Sequence, residues 1–132
     1  MSLDLILLIE DERINVMAFQ KGLQRVNTFT KLISFETAED SLVHLRNNPP
    51  PDIIVLDLNL PRMNGVDFLK LIKHDSVLKR IPVIVLTTSV NPQDKIDCFD
   101  LQVAGYFIKP IDYFDLIGSI SEYWKNSEFA SA

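Results

Sequence analysis

An open α/β fold, with parallel strands wound on both faces by helices, is what this sequence predicts. Five short apolar runs recur along the 132 residues, and segments of helical spacing separate them. Four of the runs lack polar alternation at their centres, which suits strands buried on both faces, as in parallel sheets. Prolines and asparagines fall at the joints between the two kinds of segment. Strand–helix alternation five times over gives a doubly wound sheet, and its crossovers are then right-handed.

The first run is LILLI, Leu5–Ile9. Val16, Phe19, Leu23 and Val26 follow at steps of three, four and three, marking a one-sided helix suited to packing on a sheet. KLISF, Lys31–Phe35, is the second strand, and Ala38, Leu42 and Leu45 mark the second helix. Pro49-Pro50-Pro51 cannot be helical and delivers extended backbone to Asp52. IIVL, Ile53–Leu56, is the third strand. Asn64-Gly65 opens a third helix marked by Val66, Leu69 and Ile72, with Phe68 and Leu71 beside them. Ile81-Pro82 leads into VIVL, Val83–Leu86. Asn91-Pro92 sets a capping residue before a proline at the first helical position. Ile96, Phe99 and Val103 are the expected packing stripe of that fourth helix. YFI, Tyr106–Ile108, is the fifth strand, and Tyr113, Ile117, Ile120 and Trp124 mark the fifth helix. Met17 and Met63 read as core and loop filling, and His44 and His74 as solvated helical residues. One domain over residues 1–125 is expected, with 126–132 a fraying polar tail.

A net charge of -5 excludes a broad nucleic-acid-binding surface, which needs clustered Lys and Arg. A single cysteine, Cys98, allows no internal disulfide and fits a reducing compartment. No apolar run approaches the roughly 20 residues that span a bilayer. A cytoplasmic protein with no direct contact to membrane or nucleic acid is the expectation.

The chemistry gathers at strand ends. LILLI runs into Glu10-Asp11, IIVL into Asp57, VIVL into Thr87-Thr88-Ser89, and YFI into Lys109-Pro110. In open α/β sheets ligands bind outside the carboxyl ends of the strands, so these groups are expected to converge. Each has a plainer reading. Asp11 could cap the first helix, Thr87, Thr88 or Ser89 could serve a turn, and Lys109 could reach past a strand end to water. Asp57 lies too far upstream of the helix near Asn64 to cap it. Three crowded carboxylates, Glu10, Asp11 and Asp57, call for positive charge. Lys109 supplies one charge and Mg²⁺, a hard cation taking oxygen ligands, suits the rest. No Cys/His cluster offers a zinc alternative. An aspartate between Mg²⁺ and a lysine can act as nucleophile and form an aspartyl phosphate, with a hydroxyl such as that of Thr87 bonding a phosphoryl oxygen.

With IEDE (Ile9–Glu12), VLDLNLPRMNG (Val55–Gly65), PVIVLTTS (Pro82–Ser89) and GYFIKP (Gly105–Pro110) in that order, the chain resembles the receiver domain of two-component response regulators. The resemblance spans nearly the whole chain and is to single-domain regulators of the chemotaxis kind. It implies a flavodoxin-like three-layer sandwich with strand order 2-1-3-4-5. It implies Asp57 as phosphoacceptor and Glu10 and Asp11 as the acidic pair for Mg²⁺, Glu10 through water. Asn59 would lend its backbone carbonyl to the metal. Thr87 matches the switch hydroxyl, Lys109 the phosphate-contacting lysine, and Tyr106 the aromatic that changes rotamer with Thr87. The Lys109–Pro110 bond would be cis. A histidine kinase or histidine phosphotransfer protein would donate the phosphoryl group to a receiver that catalyses its own transfer and turns over no separate substrate. An effector or a second copy would meet the face made by the fourth helix, fifth strand and fifth helix, where some of Tyr113, Phe114, Tyr123 and Trp124 would lie with Tyr106. Gln102 stands where the family often has glycine, predicting a differently shaped end to the fourth helix. Thr88 is bulkier than the usual residue and is expected to narrow access to Asp57. Glu10 replaces the more frequent aspartate.

Three rival classes share parts of this pattern. A haloacid-dehalogenase-type enzyme needs a second acid two residues after its nucleophile, where Asn59 stands. A flavodoxin needs a phosphate-cradling loop after the first strand, and none follows. A phosphorylation-independent pseudo-receiver is the remaining alternative, and the intact acids and Lys109 weigh against it.

Overall fold

A computed structural model describes residues 2–26 and 29–127, so most of the predicted tail, 128–132, lies outside the described residues. The elements alternate as β1 (Leu5–Ile9), α1 (Arg13–Val26), β2 (Lys31–Phe35), α2 (Ala38–Asn47), β3 (Ile53–Leu56), α3 (Gly65–Lys73), a 3-10 turn (Leu78–Arg80), β4 (Val83–Thr87), α4 (Pro92–Asp100), β5 (Gly105–Ile108) and α5 (Tyr113–Lys125). Each expected strand forms, with β4 one residue longer at its end and β5 one residue longer at its start. The strands make one parallel sheet in the order β2-β1-β3-β4-β5, as the resemblance implied.

The three central strands alternate between two cores because successive side chains leave a strand on opposite faces. Leu7, Ile9, Ile54, Leu56, Val83 and Val85 join α2, α3 and α4 on one side. Ile6, Leu8, Ile53, Val55, Ile84 and Leu86 join α1 and α5 on the other. Burial on both faces is why these runs carry no polar alternation. β2, at one edge, is only partly covered and reads KLISF instead. Helix starts are set by local chemistry. Thr37, Asn64, Asn91 and Asp112 each accept a hydrogen bond from a first-turn N–H, satisfying donors the helix leaves open. Gly65, first in α3, is required by crowding: an added Cβ would sit 2.6 Å from both the Asp57 carbonyl oxygen and the Leu58 Cα.

Two sequence expectations fail. Ile96 and Phe99 do not pack inward; they are 52% and 54% exposed, and the fully buried residue of α4 is Cys98. Val103 lies past the helix end, partly buried against the core. Three-and-four spacing groups residues on one face of a helix but does not say which face turns inward. Met17 is likewise about half exposed on α1, whereas Met63 does pack against the core.

α4 closes in a complete Schellman motif. Val103 N–H donates to the Cys98 carbonyl (3.2 Å) and Gln102 N–H to the Phe99 carbonyl (3.0 Å). Gln102 itself takes the left-handed backbone, φ 61°, that glycine adopts without strain. The expected change of shape at this helix end therefore does not occur: the end closes as it would with glycine, and glutamine bears the strain. Gln102→Gly is expected to stabilise the fold by about 0.5–1 kcal/mol, read as a rise in the midpoint of urea unfolding. An unchanged or lower midpoint would show that Gln102 side-chain contacts outweigh the strain.

Candidate functional site

The strand register assembles the site. Ile9 of β1 pairs with Leu56 of β3, so the next residues, Glu10 and Asp57, emerge side by side. Asp57 N–H donates to the Ile9 carbonyl (3.0 Å) and Glu10 N–H to the Phe35 carbonyl (3.0 Å). Lys109 N–H donates to the Thr87 carbonyl (2.8 Å), tying the end of β5 to the end of β4. The Lys109–Pro110 peptide is cis, as expected.

Glu10 and Asp57 are 2% and 6% exposed, and Asp11 is open to solvent. Each of the three offers a carboxylate oxygen within 4.8 Å of the others. The Lys109 ammonium bridges the buried two, donating to Glu10 Oε1 and to Asp57 Oδ2, the latter at 3.2 Å. Asp57 Oδ1 accepts from the Asn59 N–H (3.0 Å) and Glu10 Oε2 from the Glu12 N–H (3.1 Å). Burial raises the Glu10 pKa above the usual carboxylate range, against the pull of Lys109 and the Glu12 N–H. For Lys109, burial acts to lower the pKa, but the Glu10 hydrogen bond and the Asp57 charge outweigh it, and the net direction is upward. One ammonium against three carboxylates leaves an excess of negative charge. An all-oxygen donor set with no imidazole or thiolate in the cluster fits a hard divalent cation.

Thr87, fully buried at the end of β4, accepts from Ser89 N–H (3.1 Å) and Asn59 Nδ2 (3.4 Å). Both bonds use its oxygen as acceptor, so its own proton is left to donate. Asn59 Nδ2 also donates to Thr88 Oγ1 at 2.8 Å. Asp11, Asp57, Asn59, Thr88 and Lys109 line one open cavity of about 370 Å³. Thr88 thus forms a wall of the cavity and is held there by Asn59. Thr88→Ala removes that wall and one neutral hydrogen bond of about 1 kcal/mol. Phosphoryl gain from acetyl phosphate is expected to speed up by as much as about fivefold. A rate equal to or below that of the parent protein would show that Thr88 does not restrict access.

Six predicted residues, Glu10, Asp11, Asp57, Asn59, Thr87 and Lys109, therefore meet at one end of the sheet. Tyr106 does not reach the carboxylates. It pairs with Val85 in the β4–β5 register, its ring lies 6.3 Å from that of Phe99, and its Oη is buried with no hydrogen-bond partner among the described residues. Burial raises its pKa. Trp124 packs in the core, as its place in the α5 stripe predicts, while Tyr113 and Phe114 contact α1. Phe114 lies under the Arg25 guanidinium of α1 (5.1 Å), Tyr113 meets Phe19 edge-on (6.2 Å), and Trp124 belongs to the α1–α5 core. Asn15, Ile111 and Tyr113 also line the cavity, a role the strand-end pattern does not indicate. The sequence offers Tyr113 as packing or as part of the α4–β5–α5 face; its place four residues after Lys109, at the start of α5, is the signal for the cavity.

The family model described as response regulator receiver domain matches residues 6–121. Response regulator Rcp1 from Synechocystis is 36% identical over 128 residues, covering 90% of this chain and 87% of that protein. A crystal structure of the phosphorylated cyanobacterial phytochrome response regulator RcpA superposes with a TM-score of 0.85 at 33% identity, covering 95% of this chain and 96% of the other. The Mn²⁺-bound form of Rcp1 gives a TM-score of 0.84 at 34% identity, covering 94% and 96%. Among the described residues no helix is long and apolar enough to cross a membrane.

Proposed function

The chain belongs to the response regulator receiver family of two-component signalling, and on that basis we propose that Asp57 is its phosphoacceptor. The carrying observation is that Asp57, nearly buried, meets Glu10, Asp11 and Lys109 at the edge of an open cavity. An Asp57 carboxylate oxygen attacks the phosphorus of the donor. The new O–P bond forms as the bond from phosphorus to the donor's leaving group breaks. Lys109, already against Asp57 Oδ2, neutralises charge on the transferring group. The Thr87 hydroxyl donates its proton to a phosphoryl oxygen. Mg²⁺, held by Glu10, Asp11, Asp57 and the Asn59 backbone carbonyl, would neutralise the remaining charge of the carboxylates and phosphoryl oxygens.

The donor is a histidine kinase or a histidine phosphotransfer protein, and the chain turns over no other substrate. Drawing Thr87 toward the phosphoryl group gives up its bonds to Asn59 and Ser89 and frees space beside Tyr106, shifting the population of the α4–β5–α5 face toward its effector-binding or dimeric form. Exposed Ile96 and Phe99 give that face the apolar surface a partner needs. The test is exposure to acetyl phosphate and Mg²⁺ followed by intact-mass measurement. A gain of one phosphoryl group is expected; no gain would favour a phosphorylation-independent module. Thr87→Ala is expected to gain the phosphoryl group while the amide shifts of α4 and β5 stay near their unphosphorylated values in NMR spectra. A full parent-like response in that variant would remove Thr87 from the switch.

A further inference from the structure

The end of the sheet opposite Asp57 carries a second polar concavity. The end of α3, the 3-10 turn and the residues preceding β4 and β5 surround a cleft of about 520 Å³. Lys73, Lys79 and Arg80 all line it, beside Gln102 and Tyr123. Among the described residues none of these three cations has a carboxylate within ion-pair distance; the ion pairs found belong to Lys109. In a chain of net charge -5 this is a local reversal of sign. Lys73 is half buried, and that burial lowers its pKa with no compensating anion beside it.

Helix-end chemistry accounts for Lys73, since a cation in the last turn complements the helix dipole. It does not account for three cations facing one cavity. An apolar hollow of about 240 Å³ adjoins the cleft and shares Arg80, Ile81 and Pro82 with it. Pro50, Pro51, Asp52, Val77 and Trp124 line the rest of that hollow, the Asp52 carboxylate accepting from the Asp4 and Leu5 N–H groups (2.7 and 3.1 Å). Cations therefore stand on one side of Arg80 and flat apolar surface on the other. A guanidinium binds phosphate oxygens in a fork, and lysines add point charge.

We propose that these joined hollows bind a phosphorylated small molecule of mononucleotide size, with its phosphate on Lys73, Lys79 and Arg80 and its planar apolar part against the proline-lined hollow. The confinement of the three cations to one cleft and the overall acidity favour a small ligand over a nucleic-acid strand, which needs an extended basic track. The site lies at the far end of the sheet from the acidic cluster and is independent of the reading of Asp57.

The ¹⁵N-labelled full chain, free of Mg²⁺, is titrated with AMP, inorganic pyrophosphate and a short single-stranded oligonucleotide. Saturable shifts of the Lys73, Lys79, Arg80 and Gln102 amides by AMP are expected, with a Kd of about 1 mM or tighter. Pyrophosphate, lacking a planar part, is expected to bind more weakly. Lys79→Ala with Arg80→Ala alters two exposed side chains and is expected to weaken AMP on the order of tenfold or more. No saturation by AMP, or equal binding by the double variant, would overturn the site. Equal affinity for pyrophosphate would overturn the mononucleotide assignment. Tighter binding of the oligonucleotide would overturn the small-molecule class.

Discussion

Asp57→Asn is expected to fold and to gain no phosphoryl group from acetyl phosphate and Mg²⁺, as measured by intact mass. The amide keeps the size of the side chain and a carbonyl oxygen for the Asn59 N–H, which donates to Asp57 Oδ1 at 3.0 Å. It removes the anionic oxygen that Lys109 contacts at 3.2 Å, and with it the nucleophile. It also lowers the charge that makes the cluster attract a divalent cation. The loss should be complete, because Glu10 and Asp11 occupy different positions around the cavity and neither stands at the end of β3. A phosphoryl gain equal to that of the parent chain would mean that another side chain accepts the group.

Lys109→Met is expected to produce the largest loss of stability at the site. Its side chain is 10% exposed and it contacts both Glu10 and Asp57, whose own side chains are 3% and 8% exposed. Methionine fills similar space but leaves two buried carboxylates facing each other. Removing one partner of a buried charge cluster costs about 3 kcal/mol when the remaining charges go uncompensated. The cost should appear in chelator as a lowered thermal midpoint, and added Mg²⁺ should recover more of it in the variant than in the parent chain. Phosphoryl gain should slow by roughly a hundredfold, the effect of deleting one group that stabilises developing charge. Equal midpoints in chelator would show that Lys109 contributes nothing to stability. Equal rates would remove it from the transfer.

The four polar strand ends were legible because the strands that carry them are. A strand buried on both faces must be apolar throughout, so Glu10, Asp57 and Thr87 stand out where LILLI, IIVL and VIVL stop, and Lys109 follows the apolar YFI of the half-covered edge strand β5. The capping asparagines were legible for a similar reason, since their side chains bond N–H groups only two or three residues away. The inward face of α4 was not. Its nine residues carry apolar side chains in more than one direction, and Cys98 faces inward because of where α3 and β5 lie. Asn15 and Tyr113 reach the cavity only because α1 and α5 begin beside it. The Asn59–Thr88 hydrogen bond joins residues far apart in the chain and had no sequence signal.

What the sequence determined by itself is the set of elements and the chemistry at their ends, because periodicity, proline geometry and capping act over a few residues. The tertiary structure alone decided which apolar faces remained in solvent, how Asn59 divides its bonds between Thr87 and Thr88, and which cations share a cavity. Those outcomes depend on distances between elements, and only the register and packing of the whole sheet set them. Lys73, Lys79 and Arg80 show the difference: helix-end and turn residues along the chain, they line one cleft because the starts of β4 and β5 bring their surroundings together.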